Sequence, residues 1–299
     1  MAIRTEIMPL TRLKRLIGHF AASLDEIAND SNRTQQLLVR REIDRLTASA
    51  RYHDPKHLIP FGRKIYSQND EDGIIREIFN RIGPTNKTFV EFGIGNGLEN
   101  NTLALLFEDW RGLWIDASTD SIQNVCEHFS EVIDAGRLSA IESFITKANI
   151  NDLISAHITD REIDFLSVDI DGNDYHVLRA ITCINPRVIA IEYNAKFPPP
   201  TLFCMDYAET HTWRGDDCFG VSLKFLEVKM DAMGYRLVGC NLSGANAFFV
   251  RKDLLAQKFL EPFTAENHYE PARYYLSGYA SGHPPSYKTL AKSLSMRRA

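Results

Sequence analysis

The stretch Phe89-Val-Glu-Phe-Gly-Ile-Gly-Asn-Gly97 constrains this chain more than any other. Apolar residues suited to a buried strand run straight into glycines 93, 95 and 97, and a helix-forming segment follows. Glycines in that position let the backbone turn sharply and let a ligand come close to it. The spacing is GxGxG, not the GxGxxG of the dinucleotide fingerprint. Glu91 stands two residues before the first glycine. A carboxylate there would repel a pyrophosphate and attract a cation. S-adenosylmethionine, with a cationic amino group and a sulfonium, suits such a turn.

The surrounding pattern places the turn in a fold. From residue 87 onward, short apolar runs alternate with helical segments. Strands are expected at Thr88–Phe92, 112–116, 138–145, 163–169 and 187–192, with helices at 102–109, 121–128, 150–158 and 174–181. This rhythm predicts an α/β fold with a mostly parallel sheet and helices on both faces. A long loop over residues 193–219 and a helix over 221–233 follow, then two strands, Tyr235–Cys240 and 247–250, close enough to form an antiparallel hairpin. Five parallel strands and a closing hairpin predict a Rossmann-like seven-stranded methyltransferase sheet. Asp116 ends the second strand, at about the distance where Rossmann domains place an acid on ribose hydroxyls.

Before this domain, Leu13, Ile17, Phe20, Leu24 and Ile27 recur in steps of four and three, which predicts an N-terminal helical extension with one apolar face. Leu38, Ile43 and Leu46 continue it after the polar stretch 29–34, and Arg4, Arg12, Lys14 and Arg15 add positive charge. The extension is expected to pack on the main domain or on a homodimer mate. A basic amphipathic helix lying on a membrane surface is the sharper reading, weakened by Asp25, Glu26 and Asp30. The expected organisation is an extension over 1–50, a linker and leading helix over 51–86, the methyltransferase domain over 87–253 and a C-terminal tail over 254–299. The net charge of -5 argues against a mainly electrostatic nucleic-acid binder, which needs a basic surface. No apolar run approaches the roughly 20 residues of a membrane span. No signal-peptide pattern opens the chain, so a cytoplasmic location is expected. Cys126, Cys183, Cys204, Cys218 and Cys240 are odd in number and lack a CxxC pair, which fits reduced thiols.

Three segments together resemble the FkbM-type class I S-adenosylmethionine-dependent methyltransferases. They are Tyr66-Ser-Gln-Asn-Asp-Glu-Asp-Gly73, the glycine turn with Asn101-Thr102 behind it, and Asp164-Phe-Leu-Ser-Val-Asp-Ile-Asp-Gly172. The last resembles a fourth-strand motif usually written D-x-E-G, with Asp171 in place of the glutamate. The match covers about residues 66–250 and implies, most often, O-methylation. The resemblance implies that Glu91, Gly93 and Gly95 meet the methionine part of the cofactor, and that the neighbouring Asn96 is also cofactor-binding. It implies further that Asp116 holds the ribose, that Asn149 and Ile150 lie near the adenine, and that Gln68 reaches the methionine carboxylate from the preceding helix.

Ligands of open α/β sheets bind at the carboxyl ends of the strands. Asp169 and Asp171 follow the fourth strand, and Glu192 and Asn194 end the fifth. Asp169 and Asp171 are expected to orient or deprotonate an acceptor hydroxyl, and His211 in the long loop is a further candidate base. Asp169, Asp171, Glu192 and Asn194 are plausible oxygen ligands for Mg2+. Asp171 and Asp174 could instead simply cap the next helix. The expected activity is transfer of methyl to a hydroxyl of a sugar, glycan precursor or secondary metabolite, with a small-molecule or glycan acceptor and no nucleic acid. N-methylation of a small molecule, NAD-dependent oxidoreduction and a non-catalytic adaptor with a Rossmann-like fold are the competing readings.

Overall fold

The computed structural model describes residues 10–278 and 282–295. The chain divides into two compact units, residues 1–46 and 47–299. The first is built on one helix, α1 (Leu10–Thr47). The polar stretch 29–34 does not interrupt it. Thr34 Oγ1 donates to the Asp30 carbonyl at 2.8 Å and Gln36 Nε2 donates to Asn32 at 3.0 Å, so the polar residues are held along the helix itself. Arg4 and the side chains of Arg12, Leu13 and Arg15 lie outside the described residues. So does the basic end of the chain after residue 295.

The second unit is a seven-stranded sheet flanked by helices. In chain order its elements begin with α2 (Glu71–Ile82), β1 (Thr88–Phe92), α3 (Leu103–Leu106), β2 (Arg111–Asp116), α4 (Thr119–His128), α5 (Ser130–Asp134) and β3 (Leu138–Glu142). Next come α6 (Ile150–Ser155), β4 (Glu162–Val168), α7 (Asp174–Ala180), β5 (Asn185–Glu192) and α8 (Leu223–Ala232). The chain closes with β6 (Tyr235–Cys240), β7 (Asn246–Arg251), α9 (Ala265–His268) and α10 (Tyr287–Ser295). The strand order is β3-β2-β1-β4-β5-β7-β6. The first five are mutually parallel, and β7 runs antiparallel between β5 and β6.

The central strands bury both faces. Val90, Phe92, Leu113, Ile115, Leu166 and Val168 point to one side, against α6, α7 and α8. Phe89, Trp114, Phe165, Val188 and Phe248 point to the other, against α2, α4 and α10. Two-sided burial explains why these strands read as nearly continuous apolar runs. The end of the sheet away from the glycine turn is tied by Asp164, which is fully buried. It accepts from the backbone amides of Thr85, Asn86 and Lys87 and from Arg187 at 2.6 Å.

Two of the elements that come out shorter than expected have a local cause. The third strand stops at Glu142, because Asn149 accepts from the Thr146 amide at 2.8 Å and donates to the Phe144 carbonyl at 2.9 Å. Ser143 still donates to the Asp116 carbonyl at 2.9 Å, and the turn draws 144–146 away from the sheet. The helix expected at 102–109 shrinks to α3, since the chain before it wraps Glu91.

Strand order reverses between β1 and β4, where open α/β sheets form their ligand crevice. Phe92 pairs with Val168, so Gly93 and Asp169 leave the sheet side by side. A Cβ on Gly93 would lie 1.6 Å from the Asp169 carbonyl oxygen, and the residue has φ +70°. Only glycine fits there.

Candidate active site

A cavity of about 700 Å³ opens at this switch point. Gly93, Gly95, Asn96 and Asp116 line it. Asp116 serves the turn as well as the cavity. Its Oδ2 accepts from the Gly95 amide at 2.7 Å and its Oδ1 from the Ser118 amide at 2.8 Å. Each carboxylate oxygen keeps a second lone pair for another donor. A Cβ on Gly95 would meet no protein atom within 4 Å, so this part of the turn is open. Gly97 plays a different part. A Cβ there would lie 2.9 Å from Val125 and 3.2 Å from Trp114, so the third glycine lets α4 close on β2.

Glu91 departs from its expected place. It is buried and does not line the cavity. Its carboxylate accepts from the Asn101 amide at 2.7 Å, the Thr102 amide at 3.1 Å, the Thr102 hydroxyl at 2.5 Å and Asn100 Nδ2 at 3.1 Å. Thr102 Oγ1 in turn accepts from Trp114 Nε1 at 2.7 Å. Glu91 is the hub that shapes the chain behind the glycine turn. Burial pushes its pKa up to about 7, against the pull of Thr102 and Asn101.

The residues expected near the adenine also depart from their place. Ile150 is fully buried in the core, and Asn149 is used in the turn after β3. Neither lines the cavity; Ser143, Phe144 and Ile145 do. Gln68 does reach the cavity, but from the bends before α2 and not from a helix. Asp72 holds that segment by accepting the amides of Ile65, Tyr66 and Ser67 at 2.6–2.8 Å. Asn69 beside it also lines the wall, steered by its bonds to Glu71.

At the reacting end, Asp169, Asp171 and Glu192 converge, each offering an oxygen within 4.8 Å of the other two. Asp171 has φ +55°, an unusual conformation that aspartate tolerates better than most residues. Asp174 opens α7, whose N-cap is Asn173, and accepts from the Ile170 and Gly172 amides, both at 2.8 Å, so it holds the turn that carries Asp171. Burial, then the charges of Asp174 and Asp171, raises the Asp169 pKa well above the usual carboxylate range. Burial, then Asp169, does the same to Glu192. Such a cluster favours a proton or a cation among its members. Asn194 is not part of it. Its amide donates to the carbonyls of Asp217 and Phe219 and its oxygen accepts from the Lys196 amide, so it folds the long loop.

That loop brings His211 and Trp213 to the cavity wall. His211 Nε2 lies 3.2 Å from the Asp171 carbonyl, and a Cβ on Gly172 would touch its ring at 2.5 Å. A carbonyl partner requires Nε2 to carry the proton, which leaves Nδ1 as the basic atom. His176 bonds the Met205 carbonyl at 2.8 Å and braces the loop from below. Three contributions came without any local sequence signal. Tyr274 and Ser277 line the cavity from the C-terminal tail. Tyr287, at the start of α10, donates to the Asn96 carbonyl at 2.6 Å across 191 positions. It also stacks on His128, while Leu290 and Leu294 anchor α10 in the core.

The family model described as the methyltransferase FkbM domain matches residues 85–237, half of the chain. The chain belongs to the FkbM methyltransferase family. The activity of this methyltransferase is S-adenosylmethionine-dependent. No curated protein matches the sequence. Among solved structures, the METTL16 methyltransferase domain is similar at 12% identity, over 63% of this chain and 69% of that one, with a TM-score of 0.41. A methyltransferase from Geobacter sulfurreducens in complex with S-adenosyl-L-homocysteine is similar at 15% identity, over 59% and 68%, with a TM-score of 0.36. The glycopeptide N-methyltransferase MtfA complexed with S-adenosyl-L-methionine is similar at 13% identity, over 59% and 92%, with a TM-score of 0.36. Among the described residues, no helix is long and apolar enough to cross a membrane.

Proposed function

We propose that this methyltransferase acts on a hydroxyl of a sugar, glycan precursor or secondary metabolite. The observation that carries the reading is the convergence of Asp169, Asp171 and Glu192 in the same cavity as the glycine turn and Asp116. Bound S-adenosylmethionine would supply an electrophilic methyl carbon, and attack on it by the acceptor oxygen would form the C–O bond, break the C–S bond and leave S-adenosylhomocysteine. The chain has to align that oxygen and take its proton. An amine acceptor needs a base only if it arrives protonated, so an acid cluster of this kind favours a hydroxyl.

Asp169 sits beside Gly93 and is the base we assign, because burial and its acidic neighbours make its carboxylate more basic than a solvated one. Asp171 and His211 Nδ1 stand on the loop side and orient the acceptor. Trp213 and Tyr274 are about half exposed at the wall and offer faces for a ring-shaped acceptor. The three acids also fit Mg2+: the donors are hard oxygens, and Glu192 Oε2 has no hydrogen-bond partner. With the ion present, Asp169, Asp171 and Glu192 would hold it, Asp169 would act as ligand in place of base, and the ion would acidify a bound hydroxyl.

The test is Asp169→Asn, with calorimetric titration of S-adenosylhomocysteine and turnover on a panel of hydroxylated acceptors, each with Mg2+ and with EDTA. Cofactor affinity should stay within threefold while turnover falls by about 10²-fold or more, the lower range for a lost general base. Unchanged turnover would remove Asp169 from the chemistry. Methylation of amines but not hydroxyls by the wild type would replace the O-methyl reading.

A further inference from the structure

Helix α1 carries an apolar line in the open. Ile17, Phe20, Leu24 and Ile27 are 59%, 67%, 51% and 65% exposed, too much large apolar surface for a helix with no partner. Their spacing is three, four, three, and the sequence extends it backward through Leu13 and Leu10. A strict 3.5-residue repeat is the narrow seam of a coiled coil, whereas a helix lying on a globular core shows a wider stripe. The seam is interrupted where its next two positions become Ser31 and Thr34, before Leu38.

The charges say what meets this seam. Arg12, Lys14 and Arg15 flank its first half, and Asp25, Glu26 and Asp30 flank its second. Two copies side by side in parallel would set like charges against like. In the antiparallel arrangement, Leu10 comes level with Ile27, Leu13 with Leu24 and Ile17 with Phe20. The basic half of each copy then lies along the acidic half of the other. Gly18, Ala21 and Ala22 fall around the midpoint, where small residues let two helices approach closely. An anionic lipid surface would meet the three acids unfavourably.

We infer that α1 is a dimerisation helix that pairs antiparallel with α1 of a second copy of this chain. Sedimentation equilibrium of the full chain should give twice the 34.0 kDa chain mass. Phe20→Glu with Leu24→Glu should give the single-chain mass, with S-adenosylhomocysteine affinity unchanged, since neither residue lines the cavity. Raising NaCl from about 0.05 to 0.5 M should weaken the dimer on the order of tenfold, because exposed ion pairs are screened. Spin labels on Arg33→Cys, with Cys126 and Cys218 replaced by serine, should lie about 43 Å apart, given about 1.5 Å per helical residue. A parallel pair would place them under about 20 Å, since packed helix axes are about 10 Å apart. A monomeric wild type, a dimeric double variant, tighter pairing in salt or the short label distance would each overturn the inference. So would a monomer that co-sediments with phosphatidylserine vesicles, which would make the face a lipid surface.

Discussion

Asp116→Asn tests the cofactor end most sharply. The carboxylate already accepts one backbone amide on each oxygen, from Gly95 and Ser118, and keeps one lone pair on each for the ligand. A ribose cis-diol would donate to both. Hydrogen bonds to a charged group contribute about 1.5–3 kcal/mol each. Asparagine keeps one acceptor oxygen. If that oxygen stays on Gly95, the amide group faces Ser118 or the ligand with donors only. A loss of about 2–3 kcal/mol is expected, or roughly 30- to 150-fold in Kd for S-adenosylhomocysteine by calorimetry. The turn itself could also shift, so the ligand must be varied too. An analogue lacking one ribose hydroxyl should bind the wild type at least tenfold more weakly than the parent, and bind Asp116→Asn almost equally. That coupling isolates the contact. If Asp116→Asn binds within threefold of the wild type, or if the analogue loses as much affinity in both proteins, Asp116 serves only the turn and the ribose assignment falls.

Three further outcomes follow from the geometry. Glu91→Gln should leave at least one of the buried donors around it unpartnered, costing about 1–3 kcal/mol. Calorimetric Tm should then fall by several degrees, at about 2–4 °C per kcal/mol, while cofactor affinity stays within threefold; a selective loss of affinity would return Glu91 to the ligand. Tyr287→Phe removes the bond to the Asn96 carbonyl, a loss of about 0.5–1.5 kcal/mol that should lower Tm by about 1–6 °C, and should also weaken S-adenosylhomocysteine binding by at least about twofold because Asn96 lines the cavity; unchanged binding would make α10 a packing element only. Burial holds His57 and His268 down at about 4, below their usual 6.5. Unfolding lets them take up protons, so their contribution to stability is full above pH 6.5 and is lost as pH falls from 6.5 to 4. Urea titrations at about pH 7.5 and 5 should show a smaller loss for His57→Gln with His268→Gln than for the wild type. Equal losses would refute the buried neutral state.

The strands were legible because they are buried on both faces, and the apolar runs ending at Phe92, Asp116 and Glu192 mark their carboxyl ends. The glycine turn was legible for a related reason: close approach and positive φ admit one residue type, so Gly93 and Gly95 announce their geometry locally. The acid cluster was half legible. Asp169 and Glu192 end successive strands, and in a parallel sheet strand ends share one edge. Their convergence with Asp171 depended on the turn that Asp174 holds through the Ile170 and Gly172 amides.

Side-chain direction and long-range contacts were not local properties. Glu91 was read as a ligand because its place beside the turn is right, yet on a five-residue strand buried on both sides its carboxylate turned to the chain's own amides. Asn149 was placed near the adenine, and its bonds to Thr146 and Phe144 brought Phe144 and Ile145 to the cavity instead. Tyr274, Ser277 and Tyr287 arrive from a tail with no periodic pattern to point at the site. The sequence alone determined the sheet, its glycine turn and the acid that ends the second strand beside it, since each is written in neighbouring residues. Only the tertiary structure decided which carboxylates face the cavity and which are spent within the chain, because that choice depends on donors brought from distant segments.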